Sequence, residues 1–348
     1  MSQVQKITVG PGDADQRLDR WLKRLFPHLG QGRIEKMCRK GELRVDGGRV
    51  KASTRLATGQ EVRIPPLPEP GEVKSRPKPS VSDKDAAMMK ALVLYKDDHI
   101  IALNKPPGLP TQGGSKQTRH VDGLAEALTF GLDEKPRLVH RLDKDTSGVL
   151  LLARTRAVAG ALTEAFRARE TRKIYWAAVA GVPTPPMGTI KFGLVKAPGH
   201  GKGGENEKMR VLHPREVATT EGAKHATTDY AVLSALAKRA AWVALVPVTG
   251  RTHQLRAHMA ALGHPIIGDG KYGGSGQENL GDGWGAMMGG AVSNKLHLHA
   301  RSLSFKHPVT GSKVTITAPL PEHMQRTWGF LQWDPRDVPA DPFEEIDE

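Results

Sequence analysis

The stretch RLVHRLDKDTSGVLLLAR, residues 137–154, decides how the rest of the chain is read. Its second half, GVLLLAR, is a continuous apolar run bounded by turn signals, the pattern of a buried strand. Its first half is polar, with Asp143 and Asp145 ahead of Thr146, Ser147 and Gly148, residues that favour a turn. By pattern alone, acids just before a strand are turn formers. His140, Arg141 and Asp143 nevertheless place a base, a cation and an acid together on that approach, which makes a loop capable of chemistry.

Strand patterns dominate on either side. ALVLY and HIIALN flank a KDD turn and read as a hairpin, and AVAGALTEAFRAR reads as an amphipathic helix after the central strand. KIYWAAVAG, DYAVLSAL and WVALVPVTG are strand-like, a helix is expected from Thr252 to Leu262, and LHLHARSLSF pairs with KVTITAP across HPVTG. The expected class is α+β, a large and mainly antiparallel sheet with flanking helices over residues 92–322. Gly-rich stretches near 198–204 and 273–290 read as surface loops, because neither has the strand-to-helix context of a phosphate-binding fingerprint.

A smaller unit is expected at residues 13–64. Leu18, Leu22 and Leu25 form one stripe of a first helix, and Ile34, Met37 and Cys38 face inward from a second, Gln31 to Lys40, capped by Gly41. ELRVDG and GQEVRI follow as short strands. Arg33, Lys36 and Lys40 share the outer face of the second helix, and Arg39, Arg44, Arg49 and Lys51 extend the positive patch. Six prolines between Pro65 and Pro79 mark residues 65–91 as an extended linker, and residues 323–348 read as an acidic, disordered tail.

Composition narrows the partners. The chain has 51 Lys plus Arg against 37 Asp plus Glu, a formal charge of +14, which favours polyanions. A hydrophobic content of 38% supports a real core. Cys38 is the only cysteine, so neither an intrachain disulfide nor a cysteine zinc site is available. No signal peptide and no membrane-length apolar run is present, so a cytoplasmic protein with no membrane partner is expected. His253 and His258 are five residues apart, the wrong spacing for a helical zinc pair, and no metal is expected.

Four dispersed motifs now carry a resemblance. NKPPG (104–108), HRLDKDTSGVLLLAR, RKIYWAAVAG and GRTHQLRAHMAALGHPIIGD occur in the order found in the RluA-type pseudouridine synthases. RLDRWLKRLFPHLGQGRIEKMCRKGELRVDGGRVK resembles the S-four-type RNA-binding domain, a common N-terminal partner in that family. The resemblance implies a catalytic cleft along the sheet and isomerisation of uridine to pseudouridine without a cofactor. Asp143 matches the catalytic aspartate, Tyr175 the tyrosine that packs on the uracil, and Arg256 the arginine paired with the aspartate. Arg141 matches the residue that helps extrude the base, and His140 and Thr146 in the same string are expected to contact substrate. Arg33, Lys36, Arg39, Lys40, Arg44 and Lys51 are the expected RNA contacts of the small domain. The implied substrate is large-subunit ribosomal RNA, with transfer RNA as the alternative; the sequence is silent on oligomeric state, and a monomer is the default expectation. A non-catalytic RNA-binding protein would explain the small domain and the charge but not the four motifs. An RNA N-glycosylase would release free uracil.

The residue types suit that reaction. Breaking the N-glycosidic bond leaves the anomeric carbon electron-poor, and a carboxylate stabilises it, as in glycoside chemistry. A cation within about 4–6 Å favours the ionised carboxylate, and a guanidinium stays charged in every relevant condition.

Overall fold

The computed structural model describes residues 3–67, 81–113, 119–197, 208–273 and 292–343. The chain forms two compact units, Met1–Ser80 and Val81–Glu348.

In the smaller unit, helices α1 (Leu18–Leu25) and α2 (Gln31–Lys40) accompany a four-stranded sheet. Its strands are β1 (Gln5–Thr8), β2 (Arg44–Val45), β3 (Gly48–Arg49) and β4 (Glu61–Ile64), in the order β1-β4-β2-β3. The core joins Leu18, Trp21 and Leu22 to Ile34, Met37, Leu43, Val62 and Ile64. Trp21 therefore takes the inward position that the leucine spacing gave to Leu25, which is exposed. Gly41 ends α2 at φ +70°, a left-handed conformation that suits glycine, and its N–H donates to Cys38 O. The unit begins earlier than residue 13, because β1 pairs along β4 from Gln5↔Ile64 to Thr8↔Glu61.

The larger unit starts with α3 (Asp83–Ala91), whose Met89 is fully buried. The stretch expected to be linker is thus helical at its C-terminal end, and Leu67 at its other end is buried in the small core. Low hydrophobicity hid α3: one inward methionine face is enough to dock a helix of this length. Most of the proline-rich stretch lies outside the described residues, as do most of the two Gly-rich stretches.

The main sheet begins with β5 (Val93–Lys96) and β6 (Ile100–Lys105), the expected hairpin. After the short helix α4 (Val121–Leu124) come β7 (Arg137–Leu138), β8 (Ser147–Ala153) and helix α5 (Arg156–Ala168). Then follow β9 (Arg172–Ala180), β10 (Met187–Lys196), β11 (Met209–Leu212), β12 (Lys224–Leu236) and β13 (Ala240–Pro247). Helix α6 (Gln254–Ala261), β14 (Leu298–Lys306), β15 (Lys313–Thr317) and α7 (Glu322–Phe330) complete the unit. The strand order is β11-β10-β12-β13-β9-β14-β8-β6-β5, with β15 also on β14 and β7 also on β8.

Among the described residues, every pairing in this sheet is antiparallel except β14 with β8. That short parallel contact, His299↔Ser147 and Ala300↔Gly148, joins two antiparallel halves. Gly148 sits at φ +109°, and a Cβ there would lie 2.2 Å from the Ala300 carbonyl oxygen. Only glycine allows the two backbones to approach so closely. The polar approach that carries Asp143 enters the sheet at this seam.

The expected disordered tail is ordered through residue 343. Trp328 of α7, Trp333 and Phe343 pack in one core with Trp176 and Trp242. The rings of Trp176 and Trp242 meet edge to face at 4.6 Å, and Trp242 meets Trp328 at 5.5 Å. Such aromatic pairs add about 0.5–1.5 kcal/mol each beyond the area they bury. Arg172 anchors the end of the chain through a bidentate pair to Asp341, at 2.8 and 2.9 Å. Net acidity hid three large aromatic anchors.

Candidate active site

The loop between β7 and β8 is held from beneath. Lys105, at the end of β6, is fully buried, and its ammonium donates to Pro106 O, Leu109 O and Lys144 O, each at 2.9 Å. Burial pulls its pKa down to about 7, while Asp145 and Asp143 hold charge on it. Gly108 N–H also donates to Lys144 O, and Thr111 Oγ1 bonds both Leu142 O and Leu142 N–H. The NKPPG segment therefore acts as a floor for the loop. At the loop's far end Thr146 is buried and its N–H donates to Asp143 O at 3.2 Å, a turn contact. Ser147 Oγ meets His299 Nδ1 at 2.9 Å, while His299 Nε2 faces Ala318 O at 3.2 Å.

These supports leave the Asp143 carboxylate 30% exposed and facing α6. Arg256 Nη1 lies 3.7 Å from Asp143 Oδ2, and His253 Nε2 lies 3.8 Å from the same oxygen. Arg256 is itself buried and held by Asp269, whose oxygens accept from Nε at 2.7 Å and Nη2 at 2.8 Å. The expected Arg256–Asp143 pair is thus the looser of two: the bidentate partner is Asp269, and Asp143 sees the remaining Nη1 edge. Asp269 also accepts the N–H groups of Lys271 and Tyr272, so its pKa falls despite burial, chiefly through Arg256. Asp269 and Arg256 each keep the other charged.

Tyr272 closes this cluster. Its hydroxyl accepts from Met209 N–H at 2.8 Å and sits 3.0 Å from His253 Nδ1. The hydroxyl can donate to Nδ1 or accept from it, and either way the contact fixes the ring with Nε2 toward Asp143. Desolvation is the largest influence on His253 and lowers its pKa, while Asp143 opposes the shift. His253 holds φ +51°, an uncommon conformation for a non-glycine residue, as α6 begins. Gln254 fixes that start by donating to Thr227 O and Thr228 Oγ1 and accepting from Thr249 Oγ1.

Tyr175 lies in β9 between Ala300 of β14 and Leu245 of β13, beside the seam. Burial, and then the charge of Asp143, push its pKa well above the usual tyrosine value, so the phenol stays neutral. Arg141 is exposed on the loop. His140 points elsewhere: Nε2 accepts Leu151 N–H at 2.9 Å, and the ring stacks on Phe166 at 4.5 Å. Burial takes it to about 3, so it is a neutral fixture of the fold rather than a substrate contact. Thr146 likewise holds the turn.

The structure therefore brings Asp143, Arg256 and Tyr175 together and leaves His140 outside. Asp269 and Tyr272 escape a reading of the sequence. The available signal was the end of the GHPIIGD motif and the KY that follows it, where Gly268 at φ +76° permits a close approach to Lys295 O. His297 and His299 are buried hydrogen-bonding residues, with His297 Nε2 at 2.8 Å from Thr327 Oγ1. Among the described residues no group of three or more His, Cys, Asp or Glu is placed to hold a metal ion. In the smaller unit Arg33, Lys36, Arg39, Lys40, Arg44 and Lys51 are all exposed. Arg44 turns inward to Gly41 O and Gly47 O, and Lys40 lies 3.7 Å from Glu42.

Comparison with known proteins agrees with this geometry. The sequence profile of the RNA pseudouridylate synthase family matches residues 99–261, and that of the S4 domain matches residues 16–62. The ribosomal large subunit pseudouridine synthase C of Vibrio cholerae is 34% identical over 93% of this chain and 96% of its own length. Its Escherichia coli counterpart is 35% identical over 93% and 95%. Among solved structures, human RNA pseudouridylate synthase domain containing 4 superposes with a TM-score of 0.57 at 30% identity, covering 72% of this chain and 97% of that one.

Proposed function

The chain belongs to the RNA pseudouridylate synthase family, and from that premise we propose that it isomerises particular uridines of large-subunit ribosomal RNA, with Asp143 as the reacting carboxylate. The observation that carries this reading is the setting of Asp143. It is the partly exposed acid of the cluster, while the acid beside it, Asp269, is sealed against Arg256. One carboxylate can meet a ribose; the other holds the cation that faces it.

In the reaction the bond between N1 of uracil and C1′ of the ribose breaks, and a bond from C5 to C1′ forms. The proton leaving C5 is balanced by one gained at N1, so nothing enters or leaves overall. Asp143 acts at the ribose, either by attack on C1′ or by removing a sugar proton. Arg256 stabilises the anion through Nη1 without leaving Asp269. Tyr175, held neutral, covers the uracil face and offers a hydroxyl. The target base must first leave its stack, at a cost on the order of a few kcal/mol, and in this reading Arg141, exposed on the same loop, fills the vacancy.

The test is position-resolved pseudouridine mapping of unmodified large-subunit ribosomal RNA and of transfer RNA after incubation with the protein. Discrete sites in the ribosomal RNA are expected, and Asp143→Asn should lower their rate of formation by on the order of 10²–10⁴-fold with little change in RNA affinity. Sites found only in transfer RNA would overturn the substrate assignment. Full activity of Asp143→Asn would remove the carboxylate from the chemistry.

A further inference from the structure

A second feature of the larger unit lies apart from the Asp143 cluster. A cleft of about 560 Å³ opens between the end of α5, the start of β9 and the segment after β13. Its wall holds Arg169, Lys173 and Arg251, with Glu170 the one carboxylate among the lining residues. Arg172 there is already engaged with Asp341, and Arg167 with Glu164. The other three cations are not neutralised: Arg169 and Lys173 make no ion pair with any described residue, and Arg251 spends only Nε, on His225 O.

Lys173 is a costly cation to leave in this state. It is half-buried, its ammonium lies 5.1 Å from the Phe166 ring, and burial lowers its pKa without any acid opposing the shift. A lysine desolvated and unpaired calls for an anion from outside. Thr171 makes the same demand independently. It is only 8% exposed, it forms part of the wall, and its Oγ1 has no hydrogen-bond partner among the described residues. Buried hydroxyls without partners are rare because an unmade bond is expensive.

Strand periodicity ties the cleft to the uridine site. Residues 173 and 175 of β9 alternate onto one face, so Lys173 and Tyr175 stand roughly 7 Å apart along it, and Thr171 occupies the bend that leads into the strand. A cation and a hydroxyl offer what a phosphate oxygen accepts, and Lys173 stands away from the tyrosine by about one nucleotide step.

We propose that this cleft is a phosphate subsite, in which Lys173 and Thr171, with Arg169 and Arg251 at the rim, take a backbone phosphodiester of the strand whose uridine lies at Tyr175. The proposal rests on the assigned activity for the identity of the strand. The ligand chemistry, a phosphodiester oxyanion, comes from the cleft.

The experiment couples a protein change to a ligand change. A large-subunit ribosomal RNA fragment is made with single neutral methylphosphonate linkages stepped along the strand. Binding is measured with Asp143→Asn and with Asp143→Asn carrying Lys173→Gln. One linkage should weaken the first protein about tenfold and leave the second unaffected. Lys173→Gln should also lower the slope of log affinity against log salt by about 0.7–0.9. Equal losses for both proteins at every linkage would overturn the subsite. Displacement of the fragment by uridine monophosphate with no linkage dependence would overturn the backbone assignment.

Thr171→Val guards against a purely structural effect. It removes an unsatisfied hydroxyl at constant shape, so its Tm should hold or rise by a few degrees while RNA affinity falls; unchanged affinity would exclude the hydroxyl. Turnover by the wild-type protein on the unsubstituted fragment is scored separately. Turnover without linkage coupling sinks the subsite alone, and coupling without turnover sinks the activity alone.

Discussion

On α2 of the smaller unit, Arg33, Lys36, Arg39 and Lys40 stand exposed to water. In the larger unit Arg256 is buried, clamped by Asp269 at 2.7 and 2.8 Å, and turned so that one nitrogen still faces Asp143. The same kinds of side chain therefore work under opposite electrostatics. Exposed cations act through a field that salt screens within about 8 Å, and removing one costs the fold little. The buried pair is screened far less, and removing one partner strands a charge without water. The surface group is the one proposed to place RNA; the buried group holds one guanidinium nitrogen 3.7 Å from Asp143.

The most forceful way to test that contrast is Asp269→Asn. It keeps the shape and removes the charge that holds Arg256, so a stability loss of about 3–5 kcal/mol is expected. For a unit of this size that is a fall of roughly 6 °C or more in the larger unit's Tm. Turnover measured well below that Tm should still drop on the order of 10²-fold, because Arg256 loses its aim at Asp143. RNA affinity should change little. The pair also has a pH signature. Asp269 has a depressed folded-state pKa, so its stabilisation is present above about pH 4, the unfolded value, and is lost as pH falls below it. A variant with wild-type Tm and turnover would show that Asp269 does not carry Arg256.

A middle-sized effect comes from three buried histidines and one half-buried histidine of the larger unit. Burial takes His140 and His299 to about 3, and His258 and His297 to about 4. The unfolded chain binds these protons below about pH 6.5 while the folded unit refuses them, so stability declines from pH 6.5 toward 4. His258 sharpens the point, since neither of its ring nitrogens has a hydrogen-bond partner among the described residues. His258→Met should remove up to about 2 kcal/mol of the loss between pH 6.5 and 5, with no bond sacrificed. Calorimetry at the two pH values reads it. An acid loss as steep in the variant as in the wild type would mean that His258 is not the group resisting its proton.

Most of the sheet was legible because its strands are long and apolar. GVLLLAR, KIYWAAVAG and WVALVPVTG each became β8, β9 or β13, and Gly41 capped α2 as its position predicts. What escaped was structure specified by few residues or by distant ones. Helix α3 is docked by Met89, α7 and the following chain by isolated aromatics, and neither signal has a period long enough to rise above a polar background. The site was half legible. Asp143, Arg141, Tyr175 and Arg256 stood in motifs whose resemblance named them. Asp269 did not, because its importance lies in a bidentate contact thirteen residues away from its partner, across a helix end and a turn. His140 misled for the converse reason: a histidine beside the key aspartate in sequence is carried to the other side of the strand, onto Phe166.

The smallest expected effect lies at the opposite pole of the comparison. Changing Arg33, Lys36, Arg39 and Lys40 together to Gln removes four charges that no buried group depends on, so the smaller unit's stability should move by about 0.5 kcal/mol or less per site. No catalytic rate constant should change on saturating RNA, since none of these side chains belongs to the Asp143 cluster. RNA affinity should weaken, and the slope of log affinity against log salt should shrink by about 0.7–0.9 for each phosphate that a cation no longer neutralises. A slope that stays the same would make the α2 face ordinary solvated surface. A slope that falls while Asp269→Asn leaves its own slope intact would confirm that the chain separates its charges by task, with screened cations choosing the site and a desolvated pair serving the reaction there.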